Sequence, residues 1–185
     1  MTHSKFAPLA QVFSIVMLAL ACSTVRAATL ETEPTFTFTK EPFDDPTLEA
    51  TQDRISDNVW ITRADVEGIY NAAMEPRYTR HTSPLGVEWA LGTLDDDIDS
   101  LTFDSWFNTI AANPPNSVGQ NMVIHIPADN AYYNLRFTSW GQGSGSGGGF
   151  SYLRSLNPLV VPEPSSIAMI GIAAVALVGW RARKR

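Results

Sequence analysis

The sequence predicts a mainly β protein, a single β-sandwich-like domain with one or two short helices, flanked by an N-terminal signal peptide and a C-terminal transmembrane helix. Two observations carry the fold. Short segments of β-branched and aromatic residues recur between Pro-, Gly- and Asn-rich turns, several of them with period-two alternation. Long apolar runs occur only near the two ends, which leaves about 130 residues between them for one core.

The segments are taken in order. Thr35-Phe36-Thr37-Phe38-Thr39-Lys40 alternates polar and aromatic residues and reads as a strand, broken by Pro42 to Pro46. Asn58 to Arg63 is a second β-rich stretch. Asp65 to Met74 reads as one or two helical turns, with Ile69, Tyr70 and Ala73 on one side. Val87 to Leu91 follows the Ser83-Pro84-Leu85-Gly86 turn as a strand. Phe103, Trp106, Phe107 and Ile110 are spaced as on one helical face, which predicts a helix from Asp104 to Ala112, stopped by Asn113-Pro114-Pro115. Met122 to Ile126 reads as a buried strand. Tyr132 to Trp140 reads as the longest strand, with Tyr133, Leu135 and Phe137 on one face and Tyr132, Asn134, Arg136 and Thr138 on the other. Gly141 to Gly149 holds six glycines in nine residues, which predicts a flexible hairpin tip before a strand from Phe150 to Arg154. Asn157 to Ser166 reads as an extended linker.

The ends read as addresses. Residues 1–27 have Lys5, an apolar stretch from Val12 to Ala21, and small residues before a cut at Ala27–Ala28, the layout of a secretory signal peptide. Cys22, the single cysteine, gives a rival reading: Leu18-Ala19-Leu20-Ala21-Cys22 is close to a lipoprotein box, with Ala19 where Leu is usual. Under either reading the mature domain, residues 28–159, contains no cysteine. At the other end, Pro162-Glu163-Pro164 precedes a charge-free run that ends at Trp180. Arg181, Arg183, Lys184 and Arg185 follow. Residues 165–180 as a helix reach roughly 24 Å, short of the ~30 Å hydrocarbon core, and could span with snorkelling by Arg181 and Arg183. The basic tail belongs on the cytoplasmic side, which puts the bulk of the chain outside.

This tail resembles the PEP-CTERM sorting signal of bacterial surface proteins, over residues 160–185, with Pro162, Glu163 and Pro164 as the motif. The resemblance implies secretion through the translocon, recognition by an exosortase (an enzyme like a membrane transpeptidase), and transfer to the cell surface or an exopolysaccharide matrix. A plain anchor that is never cut is the other reading of the same residues. Between the addresses, Asp57 to Arg63, Ser83 to Ala90, Phe137 to Gly141 and Gly147 to Ser155 resemble a domain that recurs in secreted bacterial proteins with sorting tails. That likeness implies a discrete extracellular domain and no particular chemistry.

Charge excludes one class of partner. Residues 28–161 carry 18 acids and 7 bases, a net of −11, which the whole-chain value of −6 conceals. Such a domain repels nucleic acid. Catalysis has little support. A nucleophile needs a base, and the mature domain offers only His81, in a polar loop, and His125, in an apolar strand where a structural role fits. Zinc needs more ligands than these two separated histidines. Glycoside hydrolysis needs only two carboxylates, and Glu67, Glu75 and Glu88 are available, but no pair stands out. The glycine-rich loop lacks the Gly-Lys-Ser/Thr ending of a phosphate cradle. Asp95, Asp97 and Asp99 alternate in a calcium-like pattern, although Ser100 and Trp106 stand where an EF-hand places Gly and Glu. They read equally as a solvated loop. Trp140, Phe150 and Tyr152 beside the glycine loop are candidate sugar-stacking contacts.

The expectation is a non-enzymatic secreted protein of the surface or matrix, in adhesion or matrix structure, with no cofactor beyond calcium. A carbohydrate-binding module and a secreted glycan hydrolase are the alternatives.

Overall fold

A computed structural model describes residue 30 and residues 33–161. The signal-peptide reading and the residues from Pro162 onward lie outside the described residues. No helix among those described is long and apolar enough to cross a membrane.

The body is built from two antiparallel sheets and short one-turn helices. The strands are β1 (Thr35–Lys40), β2 (Asp53–Ser56), β3 (Val59–Arg63), β4 (Ile69–Asn71), β5 (Glu88–Leu91), β6 (Met122–Ile126), β7 (Ala131–Trp140), β8 (Phe150–Ser155) and β9 (Leu159–Val160). The larger sheet runs β1-β8-β7-β6-β5, with β9 also paired to β7; the smaller runs β2-β3-β4. Strands β5 to β8 form a meander, and β1 pairs with β8, so the first and eighth strands lie side by side.

One core lies between the sheets. Val59 and Ile61 of β3 and Ile69 of β4 meet Met122, Ile124, Leu135, Phe137 and Tyr152 of the larger sheet, all at 0% exposure. Burying a side chain of this size contributes roughly 1.5–3 kcal/mol. Trp89 and Trp106 close one end, and Phe38, Phe150 and Tyr152 form a cluster of tilted and edge-on rings.

A polar tie joins the sheets. Asp53 of β2 takes a bidentate pair from Arg154 of β8, Nε to Oδ2 at 2.7 Å and Nη2 to Oδ1 at 3.0 Å. The Tyr152 hydroxyl donates to the same Oδ2 at 2.7 Å. All three side chains are buried. Burial first, then the neighbouring Asp53 charge, pushes the Tyr152 hydroxyl well above the usual phenol range, so it stays a neutral donor.

The structure departs from the sequence reading in several places. Residues 69–71 form β4 where helical turns are expected, because all three are buried and a strand buried on both faces shows no alternation. The expected helix from Asp104 to Ala112 shrinks to α1 (Trp106–Thr109), capped by Ser105 and ended by Ala111 and Ala112 at φ 52° and 59°. Phe103 therefore leaves the helical face and stacks edge-on against His125 and Tyr132. The expected linker from Asn157 contains β9, paired to β7 through Ala131↔Val160 and Tyr132↔Leu159. Finally, the glycine segment is docked rather than free. Phe43 N donates to Gly147 O at 2.8 Å, and a Cβ on Gly148 (φ +66°) would sit 1.9 Å from Ala64 O.

Candidate functional site

The glycine loop closes an open cleft of about 410 Å³, lined by Thr39, Lys40, Ser139, Trp140 and Ser146 among others. Three strand ends build it. Lys40 pairs with Phe150, and Phe150 pairs with Trp140, so β1, β8 and β7 end in one row.

A bulge sets which way Trp140 faces. The β7–β8 register shifts between Phe137 and Ser139, so two residues of β7 oppose one of β8. Thr138 Oγ1 and Ser139 Oγ lie 2.5 and 2.8 Å from the single hydroxyl of Ser151. Strict alternation would put Trp140 on the outer face with Tyr132. The bulge turns it inward, where its ring meets Trp106, Phe137 and Phe150 at centroid distances of 5.4 to 6.0 Å.

Arg63, at the end of β3, pins this corner. Its guanidinium lies 3.8 Å over the Trp140 ring. Nε donates to Glu67 O at 2.6 Å, and Nη1 to Gly141 O at 2.9 Å and Gly149 O at 3.3 Å. Both ends of the glycine loop are thus tied to the smaller sheet. Burial lowers the Arg63 pKa to about 10.

Lys40 is the second cation here, at 1% exposure. Its ammonium donates to Glu41 O at 3.3 Å, and burial lowers its pKa against the opposing pull of Asp44 and Asp65. An inward-pointing charge on an outer strand discourages another chain from adding to the edge.

The sequence-predicted contacts divide. Trp140 is half-buried at the cleft. Phe150 and Tyr152, at 1% and 0% exposure, point into the core and present no ring to a ligand. Their alternation along β8 puts both rings on one face, and the rings of β1 and β7 bury that face. Arg63 had no sequence signal, whereas Lys40 did: it falls in register with Phe36 and Phe38 on the alternating β1 segment.

The aspartate loop is not gathered around one point. Asp97 Oδ1 accepts from Asp99 N at 3.2 Å and caps a 3-10 turn, Ile98–Ser100. Asp96 Oδ2 accepts from Thr93 N at 2.8 Å. Among the described residues, no group of three His, Cys, Asp or Glu side chains is arranged to hold a metal ion, and Asp95, Asp97 and Asp99 are not brought together.

A second cleft, about 360 Å³, includes Leu91, Ser100, Asp104, Asn108 and Thr109. Its carboxylate is engaged: Asp104 Oδ1 accepts from Ser105 N at 2.6 Å and Asn108 Nδ2 at 3.0 Å, and the backbone bond is the main cause of its lowered pKa. Glu75 is committed as well. It accepts from Asn71 N at 3.0 Å, Leu85 N at 2.8 Å and the Ser83 hydroxyl, and so organises the loop before β5. His125 lies on the outer sheet face, stacked on Tyr132 at 4.2 Å with Nδ1 3.0 Å from Glu88 Oε2. His81 is exposed, edge-on to Phe107.

The best-defined functional element adjoins β9. Asn130 Nδ2 donates to Val161 O, so the described body is held up to the residue before Pro162. Residues 160–184 match the family model of the PEP-CTERM protein-sorting motif. The chain carries a PEP-CTERM sorting motif. Signals of this kind are recognised by exosortase and mark an exported protein with a membrane-anchored sorting signal. The PEP-CTERM match begins at Val160, inside β9, so the folded body and the motif overlap. No curated protein and no solved structure matches the chain.

Proposed function

We propose that this PEP-CTERM protein is a non-enzymatic component of the cell surface or extracellular matrix, working in adhesion or matrix structure. The observation that carries the reading is the sorting motif at the edge of a folded, acidic body. Exosortase is its sorting partner and the translocon its route out. Several polar groups of the two clefts are spent on holding the fold, which suits a structural role: Ser146 bonds Gly143 O, Ser139 bonds Ser151, Thr109 bonds Trp89 O, and the Asp104 carboxylate accepts from Ser105 N.

Fractionation of cells making the full chain tests this. Replacing Pro162, Glu163 and Pro164 with Ala should move the protein from the surface or matrix fraction to the membrane. Unchanged distribution would refute delivery by the motif. Release of reducing ends from matrix polysaccharide by the purified protein would refute the non-enzymatic part.

The half-buried Trp140 at a hydroxyl-lined cleft favours a second reading, a carbohydrate-binding module. Exopolysaccharide from the same cells should then bind saturably, and Trp140→Ala should abolish binding without unfolding the protein.

A further inference from the structure

The junction between the body and the sorting motif is a strand that is barely held. Strand β9 is two residues long, is paired only to β7 among the described residues, and leaves Val160 57% exposed. Among the described residues, the bond from Asn130 to Val161 O is the other hydrogen bond that fastens it. Just upstream the chain is fixed far more firmly. Ser155 is fully buried and accepts from Asn134 N at 3.0 Å, and Leu156 N donates to Pro34 O at 2.9 Å. A short exposed strand beside a fixed one is the kind of unit that opens locally while the rest stays folded.

Two consequences follow from pairing so close to the motif. First, enzymes that act on peptide bonds take substrate as extended backbone through main-chain hydrogen bonds, and residues already in a ladder are not free to make them. Second, reach is limited. From Val161 to Ile167, where the apolar run begins, the chain spans at most roughly 20 Å; released back to Leu156 it spans roughly 37 Å. The docked tether is about as long as the radius of a body this size.

We infer that β9 is a releasable clasp that controls access of the membrane sorting enzyme to the Pro162-Glu163-Pro164 motif. Docked, it fastens the chain to the folded body as far as Val161; undocked, it supplies extended backbone and clearance. The inference rests on the sorting reading above, with the signal cut. In that step one peptide bond beyond β9 breaks, its acyl group passes to water or an amine, and its nitrogen leaves with the tail as a protonated amine.

The test uses the full chain in cells that contain the sorting enzyme and measures by mass the fraction that has lost its tail. The double variant Ala131→Cys, Val160→Cys links β9 to β7, with each single variant as control. Oxidised, it should keep its tail, and reductant should restore processing. A five-residue Gly/Ser insertion between Val161 and Pro162 should also restore processing in the linked chain, which rules out misfolding as the cause. Asn130→Ala should speed processing about fivefold, the worth of one hydrogen bond. Processing of the linked chain at the wild-type rate would overturn the clasp and leave the sorting reading intact. Retention of the tail by every chain, wild type included, would overturn the cut-signal reading and the clasp with it.

Discussion

Replacing Gly148 with alanine tests whether the glycine loop is a docked element or a loose tip. Gly148 has φ +66°, and its added Cβ would lie 1.9 Å from Ala64 O and 2.8 Å from Ala64 C. Both are backbone atoms of the residue after β3, so no rotamer change relieves the clash. Left-handed backbone costs an alanine about 1–2 kcal/mol. Forcing a methyl into a filled site costs about 1–3 kcal/mol more. The expected loss is therefore about 2–5 kcal/mol, a fall in Tm on the order of 10 °C. Gly145, three residues away, is the control. A Cβ there meets nothing within 4 Å, and its φ is ordinary. Gly145→Ala should change stability by less than about 0.5 kcal/mol. Urea unfolding of the purified protein, followed by tryptophan fluorescence, reads both. Equal midpoints for the two variants would refute the docked loop, and with it the role of Arg63 in holding that corner.

Other outcomes follow from the buried polar groups. Asp53→Ala strands Arg154 and the Tyr152 hydroxyl and should cost about 3–5 kcal/mol in the same unfolding assay. Because the folded Tyr152 pKa is raised, its contribution is complete below pH 10, the ordinary tyrosine value, and is lost as pH rises beyond it; Tyr152→Phe should flatten that alkaline decline. Lys40→Met removes a buried charge and should stabilise the fold by about 1 kcal/mol. It should also raise self-association by sedimentation, since the β1 edge loses its inward charge.

Much of the larger sheet was legible in the sequence, from alternation in β1 and β7 and from a run of β-branched residues in β6. Strands β1 and β6 match their predicted bounds, and β7 and β8 differ by a single residue. The smaller sheet was only partly legible. Strand β3 shows its β-branched residues, but β2 begins with Asp53, whose place in a strand depends on Arg154, 101 residues away. Strand β4 is buried throughout and offers no period. The β7 bulge is likewise silent in the sequence, and it decides the facing of Trp140. Phe150 and Tyr152 were read as stacking contacts beside the glycine loop, but their burial depends on rings from β1 and β7 that no local window contains. The PEP-CTERM motif was legible because its three parts are contiguous and ordered along the chain.

Strand β8 lies between β1 and β7, with a ladder on each side, and leads through Leu156 toward the carboxy terminus. Tension arriving along that terminus first meets the two residues of β9, which can unzip one pair at a time. Beyond them the load falls on β8 along its own axis. Both ladders must then shear together, and the Asp53 tie to the smaller sheet resists with them. A chain pulled by its tail would thus extend by a few residues at low force and then stiffen abruptly, a shock absorber in series with a rigid body.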